Sequence, residues 1–234
     1  MEVVETMNEC RSNCSFRKVY QKSFFVHFFG ADGAGKTTQA EMLARHMKRE
    51  GIDNKLVRIR SGRTFASILY RVFKKLASNL VELGGDGRVI RISIIRNNVH
   101  QQTWCLIELL SMIPWLVRGV FIPLRIGKVV IAERYMIDAI ATIAYLVNDP
   151  LWSKSFLARL LLRFIPRNSV LICLDASYDV IAERKGSFVD PKQYIEFQRK
   201  TYLAFAKTMG AYTIDTTATS PAETHNLICQ SLNV

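Results

Sequence analysis

The sequence predicts an α/β fold in which a parallel sheet carries helices on both faces, and three observations predict it. Short apolar runs alternate with helical patterns along the chain, no repeat period or hairpin signal breaks the alternation, and a glycine-rich turn leads straight from the first apolar run into a helix.

Residues 1–22 are polar and aperiodic and read as an N-terminal extension, leaving 23–234 as a single domain. Ser23 to Phe29 is aromatic and apolar throughout, as a strand buried on both faces requires. A helix is expected from Thr37, with Ala40, Leu43, Ala44 and Met47 on one face and Gly51 as its stop. Lys55 to Arg60 predicts a second strand. Phe65, Ile68, Leu69, Val72 and Leu76 give residues 64–83 a helical pattern that the cluster Gly84-Gly85-Asp86-Gly87 ends. Ile90 to Leu116 reads as one or two helices. Lys128 to Ala132 and Ser169 to Leu174 read as strands, Tyr212 to Ile214 as a last one, and helices are expected near 136–147, 152–164, 177–185 and 190–209.

A formal charge of +12 suits polyanionic ligands, an acidic surface or nucleic acid. The basic residues are scattered and no aromatic-plus-basic nucleic-acid motif accompanies them, so nucleic acid is not the expected partner. The five cysteines, Cys10, Cys14, Cys105, Cys173 and Cys229, show no paired metal spacing and read as free thiols. The four histidines are dispersed and suggest no metal site. The apolar region from Cys105 to Ala132 is interrupted by Glu108, Pro114, Arg118, Pro123, Arg125 and Lys128, which predicts an amphipathic helix pair leading into a strand, not a membrane span. With no signal-peptide pattern, a cytoplasmic protein without a membrane partner is expected.

The chemistry is carried first by Gly30-Ala31-Asp32-Gly33-Ala34-Gly35-Lys36-Thr37, which has the spacing G-x-x-x-x-G-K-[ST] between a predicted strand and a predicted helix. Glycines let the backbone curl so that successive N–H groups point at phosphate oxygens, and the helix N-terminus adds favourable charge. Lys36 reaches the outer phosphates, Thr37 offers a hydroxyl to Mg2+, and the nucleotide-binding set runs through Thr38. This is the phosphate loop of a three-layer P-loop NTPase fold, and ligands should gather at the strand C-termini.

The loop's interior narrows the class. Asp32 within GADGAGKTTQ resembles the loop of thymidylate kinases, nucleoside monophosphate kinases whose usual form is G-x-[DE]-G-x-G-K-[ST]-[ST]-Q. Val129 to Tyr135, ending in Glu133-Arg134-Tyr135, resembles that family's strand ending in Asp-Arg-Tyr. Leu171 to Asp175, with Arg184 and Phe197-Gln198 beyond it, is similar to the family's Leu-Asp strand end, lid and following helix, so the likeness spans residues 24–215. The resemblance implies ATP-dependent phosphorylation of a nucleoside monophosphate, dTMP foremost, by a homodimer. It also implies roles: Asp32 faces the acceptor, Lys36, Arg134 and Arg184 neutralise the transferring phosphoryl group, Glu133 joins Thr37 in holding Mg2+, and a lid lies near 184–193 with Lys185 and Lys192 as helpers.

The sequence departs from the pattern on the acceptor side. The arginine expected after the second strand falls on Arg58, Arg60 or Arg63, with Arg63 favoured, and the family's proline is absent there. Ile92 stands in the place of a base-stacking aromatic, with Arg96 at matching spacing, while Asp138 and Thr142 replace a serine and a second aromatic. Arg60, Arg63, Arg96, Tyr135 and Asp138 are the acceptor-binding candidates, and Trp104, Tyr135 and Tyr145 are alternative stacking surfaces. Two other readings stay open at this point. A deoxyribonucleoside kinase shares Glu-Arg at the strand end but needs a carboxylate base near the second strand. An inactive ATP-binding regulator would fit the altered pocket.

Overall fold

The computed structural model describes residues 23–59, 81–83, 90–92, 110–146 and 153–232. Five strands form a parallel sheet in the order β2-β5-β1-β6-β7: β1 Phe25–Gly30, β2 Asn54–Arg58, β5 Val129–Arg134, β6 Ser169–Asp175 and β7 Tyr212–Asp215. Around them lie α1 (Lys36–Arg49), α2 (residues 110–125), α3 (Met136–Leu146), α4 (Phe156–Leu162), α5 (Tyr178–Lys185), α6 (Lys192–Met209) and α7 (Pro221–Leu232). The predicted layering is observed.

β1 is central because every one of its side chains must be buried, and all six positions are. Phe25 and Phe29 pack with Met136, Ile140, Leu161 and Tyr202 under α2, α3, α4 and α6. Val26 and Phe28 face the other way, against Leu43 and Met47 of α1, Ile181 of α5 and Ile228 of α7. Each fully buried phenylalanine contributes roughly 2–3 kcal/mol, so two-sided burial fixes the strand at the sheet's centre. Parallel register then sets Gly30 beside Leu174 and brings the C-terminal ends of β1, β5 and β6 together.

Three expectations are corrected. Val81–Leu83 and Ile90–Ile92 pair antiparallel as β3 and β4, flanking the Gly84–Gly87 cluster, where helix was expected on both sides. The glycine cluster that reads as a helix stop is equally a hairpin signal, and β-branched Val81, Ile90 and Ile92 favour strand. Next, α2 is one helical stretch with a π-helical turn, Val117–Phe121, instead of a helix pair. Gly119 in that turn lies over the end of β2, where a Cβ would make ordinary contact with Val57 Cγ1 at 3.7 Å and Ile59 Cδ1 at 3.8 Å. Finally, α7 went unpredicted although Ser220-Pro221-Ala222-Glu223 announces it. Ser220 N–H donates to Glu223 Oε2 at 2.8 Å and Glu223 N–H to Ser220 Oγ at 3.2 Å, a reciprocal capping box.

No helix among the described residues is long and apolar enough to cross a membrane. Replacing the cap, Ser220→Ala, is expected to cost about 1 kcal/mol. Differential scanning calorimetry should register this as a melting point lower by roughly 2–4 °C.

Candidate active site

The turn between β1 and α1 exists only because glycine stands at its corners. Gly30 has φ +145°, and a Cβ there would fall 2.0 Å from the Leu174 carbonyl oxygen, so any side chain would push β1 off β6. Gly35, with φ +92°, caps α1 in the left-handed region and sends the chain into the helix at Lys36.

Lys36 is buried, and its ammonium donates to the carbonyls of Gly30 and Ala31, both at 2.7 Å, with Asp32 Oδ1 at 3.5 Å. Burial lowers its pKa from the ordinary lysine value, against the pull of Asp32. Arg134, at the end of β5, pairs with Asp32 Oδ1. Burial opposes the Arg134 charge, but Asp32 and Asp138 outweigh it, and the guanidinium stays firmly protonated. The Thr37 hydroxyl donates to Glu133 Oε1, and Arg58 from β2 donates to Glu133 Oε2 through Nε at 2.6 Å. Thr37 and Glu133 thus present adjoining hard oxygen donors at the loop, a donor set that fits Mg2+.

Arg184 lies on the opposite side of the loop. Its guanidinium donates to Thr216 O at 2.5 Å, Thr216 Oγ1 at 3.1 Å and Gly33 O at 3.4 Å. With Thr216, Thr219, Pro221 and Thr224 it lines a cleft of about 440 Å³ that begins at residues 33–39. Beyond α5, Lys185 pairs with Asp190 at 2.5 Å, and Lys192 sits over the Tyr178 ring at 5.2 Å. A larger groove of about 1390 Å³ between α4 and α6 shares no residue with the phosphate loop, so chemistry and not size selects the smaller cleft.

The structure thus brings together Asp32, Lys36, Thr37, Glu133 and Arg134, and sets Arg184 in one cleft with Lys36 and Thr37. It corrects two acceptor candidates. Tyr135 is fully buried with its hydroxyl donating to Phe164 O at 2.9 Å, so it is a core residue offering no stacking face. Asp138 is buried too: its Oδ2 accepts from Tyr135 N–H at 3.1 Å and lies 3.1 Å from His27 Nε2, while Tyr202 OH donates to Oδ1 at 3.3 Å. It braces the strand end that carries Arg134. Tyr145 packs edge-on against Tyr194 and Phe197. Arg60, Arg63, Arg96 and Trp104 lie outside the described residues, as does the N-terminal extension.

Sequence reasoning missed several members. Gln198 Oε1 accepts from Asp32 N–H at 3.3 Å, tying α6 to the loop. Arg199 holds Asp175 at the end of β6 with two bonds of 2.9 Å. Thr216 follows β7, and its place just beyond a strand's C-terminus was the available signal.

No family model matches the chain. It is 26% identical over 198 residues to a protein described as a probable thymidylate kinase from Pyrococcus abyssi, covering 80% of this chain and 82% of that one. The crystal structure of thymidylate kinase from Ehrlichia chaffeensis shares the fold with a TM-score of 0.56 at 18% identity, over 91% of this chain and all of that one.

Asp138→Ala would leave three buried donors without their acceptor and is expected to destabilise by about 3 kcal/mol. The urea midpoint should fall at unchanged m-value while nucleotide affinity changes less than stability. Lys36 carries a pH signature as well. Its folded pKa lies below the unfolded 10.5, so between the two values the unfolded chain binds more protons and stability rises with pH. Relative to Lys36→Met, the wild type should therefore gain stability as pH rises through that alkaline window, in paired urea titrations.

The phosphate loop with its acidic third residue, the Glu133-Arg134 strand end beside it, and a sequence likeness running through four-fifths of the chain converge on one resemblance: the chain is similar to a probable thymidylate kinase in sequence and shares the fold of a solved one.

Proposed function

We propose that this protein transfers the terminal phosphoryl group of ATP to dTMP, giving dTDP and ADP. The observation that carries the reading is the cation at the end of β2. Arg58 stands there, joined to Glu133, where a kinase acting on a sugar hydroxyl needs a carboxylate to take the proton. Cations at that position suit an acceptor that is already ionised, for which no general base is required.

On this reading the loop N–H groups and Lys36 hold the donor phosphates, and the cleft bounded by Arg184 and Thr216 takes the rest of ATP. Arg184 then acts on the donor nucleotide. Arg134, held by Asp32, is the cation aimed between donor and acceptor, where charge spreads over the transferring oxygens. Asp32 both fixes Arg134 and faces the acceptor, and Gln198 steadies Asp32's backbone. Thr37 and Glu133 would hold Mg2+, which when bound neutralises phosphate charge. Arg60, Arg63 and Arg96 complete the proposal as contacts to dTMP, in a homodimeric, cytoplasmic enzyme.

The test is ADP release from ATP and Mg2+ across a panel of nucleosides and nucleoside monophosphates. Turnover with dTMP that is lost in Lys36→Ala and falls roughly 100- to 1,000-fold in Arg134→Ala is the expected result. Turnover with thymidine but not dTMP would overturn the acceptor assignment, and another favoured monophosphate would change the base while keeping the chemistry.

A further inference from the structure

Between the C-terminal part of α1 and the second and third turns of α7, three side chains that the sequence scatters come together. His46 of α1, His225 and Cys229 of α7 place one ligand atom each within 4.8 Å of one another. His225 and Cys229 stand four residues apart, the spacing that puts two side chains on one helix face. Their His225 Nε2 and Cys229 Sγ atoms lie 3.4 Å apart. Two ligands of a tetrahedral zinc ion, at the usual Zn–N and Zn–S lengths, are about 3.6 Å apart. The His46 and His225 rings meet edge to face with centroids 5.6 Å apart.

Within the protein this grouping is poorly satisfied. Among the described residues His225 Nε2 has only the Cys229 thiol at hydrogen-bond distance, and its Nδ1 is buried without a hydrogen-bond partner there. An imidazole with that little protein partnership has nitrogen lone-pair capacity to give to a ligand. Two imidazoles and a sulfur form a borderline-soft donor set, which selects Zn2+ over the hard Mg2+ suited to Thr37 and Glu133.

We propose that His46, His225 and Cys229 form a Zn2+ site, separate from the nucleotide site, that staples α7 to α1. Zn2+ binds the Cys229 sulfur as thiolate, the thiol proton passing to solvent, and water completes the fourth position. The staple has a structural reach. The same helices border the nucleotide cleft, α1 through residues 36–39 and α7 through Pro221 and through Thr224, the residue before His225, and Gln39 Nε2 already donates to Pro221 O at 2.8 Å. Fixing the helix pair here therefore steadies the adjoining cleft wall.

The experiment uses the full chain, stripped with chelator and titrated with Co2+, then Zn2+. One equivalent of Co2+ should give a thiolate-to-cobalt charge-transfer band and the intense visible bands of a tetrahedral site, both erased by Zn2+. Cys229→Ser should abolish the charge-transfer band. His225→Gln and His46→Gln should each weaken Zn2+ binding by roughly 10-fold or more, with basal kinase turnover in all three variants reporting that they fold. Cys10→Ser and Cys14→Ser should leave the band intact. A band that survives Cys229→Ser or disappears with Cys10→Ser overturns the site, as does the absence of any thiolate band. Unchanged Zn2+ affinity in His46→Gln overturns the staple.

Discussion

A lysine ammonium buried at the end of a sheet is the constraint around which the catalytic end is built. Lys36 loses its water, and the fold compensates with two carbonyls at 2.7 Å and the carboxylate of Asp32. Those carbonyls point inward only because Gly30 adopts a backbone geometry closed to other residues. Asp32 then has to serve two cations, Lys36 and Arg134, and the next carboxylate along, Glu133, serves Arg58 and Thr37. The result is a chain of alternating charges across the ends of β1, β5 and β2. It draws the three strands into one electrostatic unit beside the turn that joins β1 to α1.

Beneath that unit lies a second, uncharged-looking layer that does the positioning. His27, Tyr202 and the Tyr135 amide converge on Asp138, which lies under the end of β5. Such a network is costly if half satisfied, and here it links β1, α3 and α6 through a single carboxylate. It explains how a helix beginning only two residues after Arg134 is held at a fixed angle to the strand. Arg199 and Asp175 repeat the device at the end of β6.

What was legible in the sequence follows from where burial is two-sided. β1, β5 and β6 read correctly because central parallel strands are continuous apolar runs, and the loop read correctly because its glycines have a backbone purpose. The hairpin of β3 and β4 did not, since three-residue strands carry too few residues to show a period. The role of Asp138 did not either: its distance from Arg134 along the chain says nothing about His27, 111 residues away, turning it inward. Arg58 was one of three candidates, and neither its bond to Glu133 nor the register shift between Val57 and Arg58 is visible in sequence. The His46, His225 and Cys229 grouping depends on two helices meeting side by side, which no local pattern announces.

The strand order has a last consequence. β1, which bears the phosphate loop, has a neighbour on each side, whereas β2 stands at an edge of the sheet and, among the described residues, pairs only with β5. A substitution in the middle of the sheet must satisfy two partners and two helical layers at once; one at the rim answers to fewer. Selection can therefore remodel the rim of such a sheet piecemeal while its centre stays fixed, and a lineage could change what its edge recognises without rebuilding its phosphate loop.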